Sequence, residues 1–286
     1  MRAIALRALR RLVLCAVACA AASGAYGQAD DVDPFHWGYA AMFGSGTYRL
    51  DDGTEARIVR GAFSKRLRAT RTGEGRGPGL RLLLPVTVGV QNLDDDDLPP
   101  GRPGDEVEHA AFLPGAELEF TPGERWTVRT RAQLGWGKAL EGAENSALLM
   151  AVGMRSKLAW DDAPGRPALI NGLLWAGFDP DDGERRSLLR FTTGFEFDVP
   201  VPRWQFRDRP MHLLPHVLGD WFYRPPPALA FGDADLAQVE SEWQIGVAAG
   251  REQGFRLLGF EFDNVGVAYR FSEHSSGIRF YLNSVF

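Results

Sequence analysis

The chain is poor in cysteine and has no long apolar run beyond its first residues, and both absences narrow its architecture. Its 286 residues include two cysteines, Cys15 and Cys19. Both lie within residues 1–27, so a chain without that segment has no thiol to form a disulfide in an oxidising compartment. No later apolar stretch approaches the roughly 20 residues of a membrane-spanning helix. Any passage of the remaining chain through a membrane would therefore be made by strands.

Scarce histidine and an acidic charge balance disfavour two kinds of ligand. The five histidines do not form clusters at zinc-ligand spacing, so we expect no metal and no cofactor. The acidic run 94–97 could hold calcium loosely, although the glycine and glutamate of a calcium-binding loop are not in place. The formal charge of −5 falls to −9 when the four arginines of residues 1–27 are removed. Because nucleic-acid binding depends on lysine and arginine, we expect no nucleic-acid partner.

Residues 1–27 have the features of a secretory signal peptide. A basic start, an apolar stretch over 12–22 and small residues at 25 and 27 follow one another in the expected order. We predict cleavage after Gly27, with cleavage after Ala29 as the alternative, which leaves 28–286 as one domain. The stretch 16–19, ending in Cys19, loosely resembles a lipoprotein-processing site, so a lipid anchor is a second possibility.

Turn-forming residues divide the rest of the chain into short alternating runs. The sequence has 33 glycines, 18 prolines and 11% aromatic residues, which favours an all-β fold. Clusters such as 51–53, 121–123 and 161–165 predict turns. The runs between the turns predict about twelve strands, mostly long enough to cross a membrane at a tilt: 36–49, 54–66, 79–91, 109–120, 124–137, 146–160, 166–178, 185–197, 210–224, 235–250, 254–271 and 277–286.

The alternation separates an apolar wall from a charged wall. In 126–137 the even-numbered positions carry Trp126, Leu134 and Trp136, whereas Arg129 and Arg131 occupy odd-numbered positions. In a membrane barrel the charged wall lines the interior, whereas in a soluble periplasmic sandwich or barrel it faces water. The charges could filter solutes in a polar pore or pair and plug it. The charges predicted to line the interior are Arg129, Arg131, Arg190, Glu196, Glu240 and Glu242.

Aromatic residues near the strand ends favour the membrane barrel. Such residues form girdles at the two membrane–water interfaces of a barrel. In a soluble barrel or sandwich they would instead belong to the core. The girdle candidates are Trp37, Trp126, Trp136, Trp160, Trp221, Tyr223 and Tyr269.

Catalytic residues are not evident. His212, His216 and Asp220 share one face of the predicted strand 210–224, but four strand residues span about 13 Å, too far for a direct hydrogen bond. The adjacent His274 and Ser275 are ordinary loop residues. We expect no enzymatic activity. The alternative is a surface hydrolase that depends on His216 or Ser275.

The last predicted strand, 277–286, carries the resemblance to a known family. Its apolar face presents Ile278, Phe280, Leu282 and Phe286, and the chain stops on that last aromatic residue. This resembles the terminal strand that the barrel-assembly machinery of Gram-negative bacteria recognises. Phe280, Leu282 and Phe286 are the residues of the assembly signal, while Ser284 departs from the hydrophobic residue usual near the end.

The terminal strand and the strand count together resemble the translocator barrel of autotransporters. Only about eight residues separate Gly27 from the first predicted strand, which resembles the solitary barrel family that lacks a passenger. The resemblance implies a closed antiparallel transmembrane up-and-down β-barrel of about 12 strands in the outer membrane. It further implies contact with outer-membrane lipid, assembly by the barrel-assembly machinery and a monomeric, structural or pore-like protein.

The resemblance also orients the connections. With both termini periplasmic, the loop 92–108 is extracellular, whereas 121–124 and 251–253 are tight periplasmic turns. The stretches 67–78 and 198–209 are then long for periplasmic turns, so either the strand count is wrong there or those turns are unusual.

Overall fold

The structure is a computed structural model of the full chain. It describes residues 44–50, 55–70, 77–92, 106–140, 146–181, 185–206, 209–224, 240–257, 260–273 and 275–282. The predicted signal peptide, most of the predicted strand 36–49, the acidic run 94–97, His274 and Phe286 lie outside these ranges. Within the described ranges, no helix has the length and apolar character needed to cross a membrane.

The described residues contain fourteen β-strands, many of them alternating runs that end near turn-forming residues. They are β1 (Ser45–Leu50), β2 (Glu55–Arg68), β3 (Gly79–Asn92), β4 (Glu106–Phe112), β5 (Gly115–Gly123), β6 (Trp126–Ala139), β7 (Ser146–Ala159), β8 (Pro167–Pro180), β9 (Arg186–Phe197), β10 (Val199–Gln205), β11 (Pro210–Arg224), β12 (Ser241–Leu257), β13 (Phe260–Phe271) and β14 (Ser275–Leu282).

The strands close into one antiparallel barrel. The first and last strands pair over six positions, from Ser45 opposite Phe280 to Leu50 opposite Ser275. β4 and β5 both lie between β3 and β6, so they share one position in the wall. β9 and β10 both pair with β11 and share another. The fourteen strands therefore fill twelve positions, and the predicted closed all-β barrel of about 12 strands is confirmed.

The break between β4 and β5 lies opposite a glycine. Leu113 and Pro114 separate the two strands, yet the ladder to β6 continues because the Leu134 N–H donates to the Pro114 carbonyl at 3.0 Å. A Cβ at Gly135 would meet the Phe112 carbonyl oxygen and come within 2.7 Å of the Leu113 Cα. Glycine at this position therefore allows the irregular segment to lie close to β6.

The predicted long turn over 198–209 is wrong. β10 continues the wall after β9, and the actual turn is short, since the Phe206 N–H donates to the Arg209 carbonyl at 2.9 Å. Pro200 and Pro202 made the segment read as a loop, because proline cannot donate a ladder hydrogen bond. In the described structure β10 pairs with β11 alone, so it is paired on one side only. A strand paired on one side tolerates proline, because the missing N–H can face away from the ladder.

The predicted turn at 251–253 is also wrong, because these residues lie within β12. The register between β12 and β13 shifts between Gly250 and Phe255, so the polar run forms an irregularity in the strand. The predicted turn at 121–124 is close to a real hairpin, in which Gly123 pairs with Trp126. The connection between β2 and β3 is long, as expected, since β2 ends at Arg68 and β3 begins at Gly79.

The two ends of the barrel differ in their connections. At one end, here called the long-loop end, the connections include 93–105, 140–145 and 225–240. At the other, the short-turn end, β5 joins β6 through 124–125 and β12 joins β13 through 258–259.

The wall is apolar outside and polar inside. On β6, Leu134 and Trp136 are 53% and 64% exposed, whereas the intervening Gln133 is 6% exposed. This is the alternation predicted for 126–137, although Val128 is buried. The exposed apolar side chains elsewhere include Val59, Val88, Phe191, Phe195, Val217, Ile245, Val265, Val267 and Phe280. A soluble barrel with an apolar core has the opposite arrangement.

Aromatic side chains cluster on the outer face near the long-loop end. The ring centroids of Trp221 and Trp243 are 5.8 Å apart, and Phe191 lies 6.1 Å from Trp221. On β13, Tyr269 stacks on Phe271. Five of the predicted girdle residues are exposed: Trp126, Trp136, Trp221, Tyr223 and Tyr269. Trp160 is half-buried, and Trp37 lies outside the described residues.

Candidate functional site

The interior of the barrel carries most of the buried charge. Of the six charges predicted to line it, Arg129, Arg131, Arg190, Glu196 and Glu242 project from the inner faces of their strands. The sixth, Glu240, is exposed and precedes β12, where its carbonyl accepts the N–H of Phe222. The structure therefore places Glu240 at the rim of the barrel and not among the interior charges.

One group of interior charges lies toward the short-turn end, and we call it the Asp263 cluster: Arg81, Glu117, Glu119, Arg129 and Asp263. The Asp263 carboxylate lies 2.9 Å from Arg81 Nη1 and 3.4 Å from Arg129 Nη1. Arg129 Nε also donates to Glu119 at 2.8 Å, and the Thr70 hydroxyl donates to that carboxylate at 2.6 Å. Each carboxylate thus has a cationic partner, as buried charges require.

A second group lies toward the long-loop end, and we call it the Arg270 cluster: Arg190, Thr192, Asp220, Glu242 and Arg270. The fully buried Arg270 guanidinium donates to Glu242 and to Asp220, the latter at 3.3 Å. Asp220 also accepts from the Thr192 hydroxyl and lies 3.7 Å from Arg190 Nη1. Four neighbouring strands, β9, β11, β12 and β13, supply this cluster, because the registers place Asp220 beside Glu242 and Thr192 and pair β12 with β13.

Two further interior contacts join strands of the wall. Lys157 Nζ lies 2.5 Å from the buried Glu196 carboxylate. His216 Nε2 lies 3.0 Å from the Gln244 side chain, whose oxygen accepts from Arg279 at 3.0 Å. The ring of Tyr281 packs edge-on against His216. These contacts tie the last strand to β11 and β12.

Part of the interior is apolar. A cluster of buried aliphatic and aromatic side chains extends from β4 to β9 near the long-loop end. Its members are Ala111, Leu113, Ala147, Leu149, Ala151, Leu174, Ala176, Phe178 and Leu188. The polar space is therefore displaced toward the opposite side of the barrel and the short-turn end.

An open cavity lies among these groups. It contains about 900 Å³ of atom-free space, including the part continuous with solvent. Its lining includes seven arginines and two acidic residues: Arg60, Arg81, Arg129, Arg131, Arg155, Arg190, Arg279, Glu117 and Asp263. A second space of about 550 Å³ shares four of these arginines and adds Asp220. The lining of both spaces has an excess of positive charge.

Sequence reasoning missed several interior charges. Arg60, Arg81, Asp263 and Arg270 were not among the predicted lining residues. The period of two identifies Arg270, because Asn264, Gly266 and Ala268 share its face while valines and aromatics occupy the other. Asp263 precedes that regular run and carries no such signal. Its role depends on its partners on β3 and β6, which the sequence alone does not bring together.

The histidines do not assemble into a catalytic arrangement with the residues first considered. His212 Nδ1 lies 2.6 Å from Asp198 and not beside Asp220. His216 contacts Gln244 and Tyr281, and the Ser275 hydroxyl lies 2.8 Å from that of Ser272 in the last hairpin. His109 is buried over Gly89. Among the described residues no group of three histidine, cysteine, aspartate or glutamate residues is arranged to hold a metal ion.

The predicted assembly signal lies on the outer face of the last strand. Phe280 and Leu282 are exposed, and so is Ile278, which precedes them on the same face of β14. Tyr281 is buried against His216 and Arg279 donates to Gln244, so both face the interior instead. Phe286, the third residue of the predicted signal, lies outside the described residues.

The fold of the barrel has relatives among solved structures. No protein-family model and no curated protein sequence matches the chain. The translocator domain of the autotransporter NalP from Neisseria meningitidis matches with a TM-score of 0.53 and 14% identity, over 82% of each chain. The β domain of the Bordetella autotransporter BrkA matches with a TM-score of 0.54 and 10% identity, over 84% of this chain and 95% of the other. The resemblance to autotransporter translocator barrels that the sequence predicts is thus confirmed at the level of the fold.

Proposed function

We propose that the protein is a non-enzymatic barrel of the Gram-negative outer membrane, with a structural or pore-like role. The observation that carries this proposal is the polarity of the wall: large apolar side chains such as Trp136 and Phe280 are exposed, while Arg270 and Glu242 are buried inside. Lipid is the solvent that such an outer face fits. The aromatic residues near the long-loop end fit a membrane–water interface.

The topology supports one orientation in that membrane. Bacterial outer-membrane barrels have short turns on the periplasmic side and longer loops outside. The long-loop end would therefore face the exterior and the short-turn end the periplasm. Export would use the predicted signal peptide at 1–27, and the barrel-assembly machinery would read Phe280, Leu282 and Phe286 on the last strand.

The interior supports a lumen that contains water. The cavity beside the Asp263 cluster is lined mainly by charged and polar groups, which favour water over an empty space. The apolar cluster between β4 and β9 narrows the lumen at one side without removing this cavity. A narrow pore is thus favoured over a fully plugged barrel, with the barrel acting as a monomer.

Fractionation and a heat-shift gel test the proposal. The full-length protein is expressed in a Gram-negative host beside a version without Phe286 and a control, Phe206→Ser, which changes an exposed aromatic in a short turn. We expect the full-length and control proteins in the outer membrane, with a mobility that changes on heating, and a loss of assembly without Phe286. Release of the full-length protein with the periplasm would refute the membrane location.

Two functional assays test the role. The purified barrel in a planar bilayer is expected to give small, steady conductance steps. A folded barrel that gives no conductance would rule out the pore and leave only the structural role. A lipid-hydrolysis assay compares it with His216→Ala and Ser275→Ala, the residues of the alternative hydrolase. We expect no hydrolysis by any of the three proteins. Activity that disappears in either variant would establish an enzyme instead.

A further inference from the structure

Five arginines from different parts of the wall line the interior cavity beyond the Asp263 cluster. They are Arg60 on β2, Arg131 on β6, Arg155 on β7, Arg190 on β9 and Arg279 on β14, and we call them the arginine ring. Four of them also line the second space. Most of the ring therefore borders both spaces.

The acidic residues near the ring are engaged elsewhere. Asp263 is held by Arg81 and Arg129, and Glu117 lies 4.0 Å from Arg81. Asp220 lies 3.7 Å from Arg190 but is shared with Arg270 at 3.3 Å. The carboxylates that line the two spaces thus form ion pairs with arginines outside the ring, and only Asp220 also lies near a member of the ring, Arg190.

Several guanidinium groups of the ring keep unused donors. Among the described residues, no carboxylate forms an ion pair with Arg131, and its buried Nε has no hydrogen-bond partner. The Nε atoms of Arg190 and Arg279 also have no partner. Arg279 donates to a neutral group, the Gln244 side-chain oxygen. Such donors are costly to bury unless something binds them.

Small residues leave space beside these side chains. Gly153 and Gly172 line the second space, and a Cβ added at Gly153 would lie 3.4 Å from Arg131 Nε. A Cβ added at Gly172 would lie 3.8 Å from Arg155 Cγ. Larger side chains at these positions would occupy part of the second space.

We propose that the arginine ring is a binding site for a phosphate group, either free inorganic phosphate or the phosphate of a small solute, and that it makes the lumen selective for anions. This rests on the proposed water-containing lumen. Planar guanidinium groups bind oxyanions through paired N–H donors. A multiply charged tetrahedral anion can accept from several directions at once, which suits the unused donors of Arg131, Arg190 and Arg279, on three separate strands, better than a single carboxylate does.

Equilibrium binding to the refolded full-length barrel in detergent tests the site directly. Phosphate is titrated at constant ionic strength with chloride as the competing anion, and binding is followed by calorimetry. We expect one phosphate per barrel and, for Arg131→Gln, an affinity roughly 10 to 100-fold lower, the value of one charge-assisted hydrogen bond. The matched control Arg57→Gln removes an exposed arginine that pairs with Glu55 at the barrel rim, and it should bind as the parent does.

A stability measurement separates a binding role from a purely structural one. If Arg131 only supports the fold, Arg131→Gln should unfold at a lower temperature in chloride alone. If it belongs to an anion site, the variant should be at least as stable as the parent in chloride, because a repulsive charge is gone, and should lose the stabilisation that phosphate gives. Equal phosphate stabilisation of parent and variant would overturn the proposal.

Conductance separates failure of this site from failure of the pore. In a potassium chloride gradient, the reversal potential of the parent should indicate anion selectivity, and that of Arg131→Gln should shift toward cations. Conductance without phosphate binding would overturn the proposed phosphate site, while the proposed pore would stand. Phosphate binding to a barrel that does not conduct would overturn the pore and its selectivity, while the phosphate site would stand.

Titration with glycerol 3-phosphate identifies the source of the phosphate group. Binding of glycerol 3-phosphate supports a phosphorylated solute as the ligand. If the barrel binds inorganic phosphate but not glycerol 3-phosphate, the ligand is the free ion.

Discussion

Arg81 on β3 and Asp263 on β13 form an ion pair of 2.9 Å although three strands, β14, β1 and β2, separate them in the wall. The bond therefore crosses the interior and does not follow the sheet. The Arg129 guanidinium on β6 reaches the same carboxylate from another direction. Side chains from three strands that do not pair with one another thus brace the barrel, whereas the backbone ladder joins only neighbouring strands.

The cross-barrel pair should stabilise the fold. In Asp263→Asn, Arg81 and Arg129 lose their shared carboxylate, which we expect to lower the free energy of unfolding by about 3 kcal/mol, the lower part of the range for a broken buried pair. The side chain of Asp263 is 24% exposed, which limits the loss. The midpoint of urea unfolding in detergent, followed by tryptophan fluorescence, measures it.

Arg57→Gln is the matched control for Asp263→Asn. It breaks the exposed pair between Arg57 and Glu55, so we expect a loss below about 1 kcal/mol. Equal losses for the two variants would show that the interior pair has no special weight.

Removing Arg270 should be more damaging than removing either of its acidic partners. Arg270→Met leaves Glu242 and Asp220 as buried neighbours without a shared cation, and we expect a loss of about 3–5 kcal/mol. Adding Glu242→Gln to the same chain removes one of the two repelling charges and should recover part of that loss. Unfolding free energies of both single variants and the double variant give the coupling, and strictly additive losses would contradict the paired arrangement.

The sequence predicts the wall better than the interior. The period of two in strands such as 126–137 determines which residues face inward, because one face must be apolar, and so Arg129 and Arg131 are found from pattern alone. The pattern does not show which charges meet, since Asp263 and Arg81 are far apart in sequence. It also fails where strands are irregular: prolines concealed β10, and the run 251–253 read as a turn although it lies within β12.

A side chain at position 135 should disrupt the join between β4 and β5. The Phe112 carbonyl and the Leu113 backbone occupy the volume that a Cβ at Gly135 would need. Both are main-chain atoms of a bulge, so they cannot move aside as a flexible side chain would. We expect Gly135→Val to lower the yield of folded, heat-shifting barrel several-fold.

Gly123→Val is the comparison for Gly135→Val. Gly123 closes the hairpin before β6, and a Cβ there meets nothing within 4 Å. This variant should fold as the parent does. If Gly135→Val folds with parental yield, the close approach at the bulge is not required.

Charge on the outer face should be costly in proportion to its depth in the membrane. Val267 lies within β13, between Val247 on β12 and Phe280 on β14, so its surroundings are apolar on both sides. Tyr223 is 80% exposed near the end of β11, beside the connection 225–240. Arginine near the middle of a bilayer costs a barrel about 2–4 kcal/mol, and near the interface about 0–1 kcal/mol. Unfolding in lipid vesicles should therefore show a larger loss for Val267→Arg than for Tyr223→Arg, whereas equal effects would mean that Val267 does not face lipid.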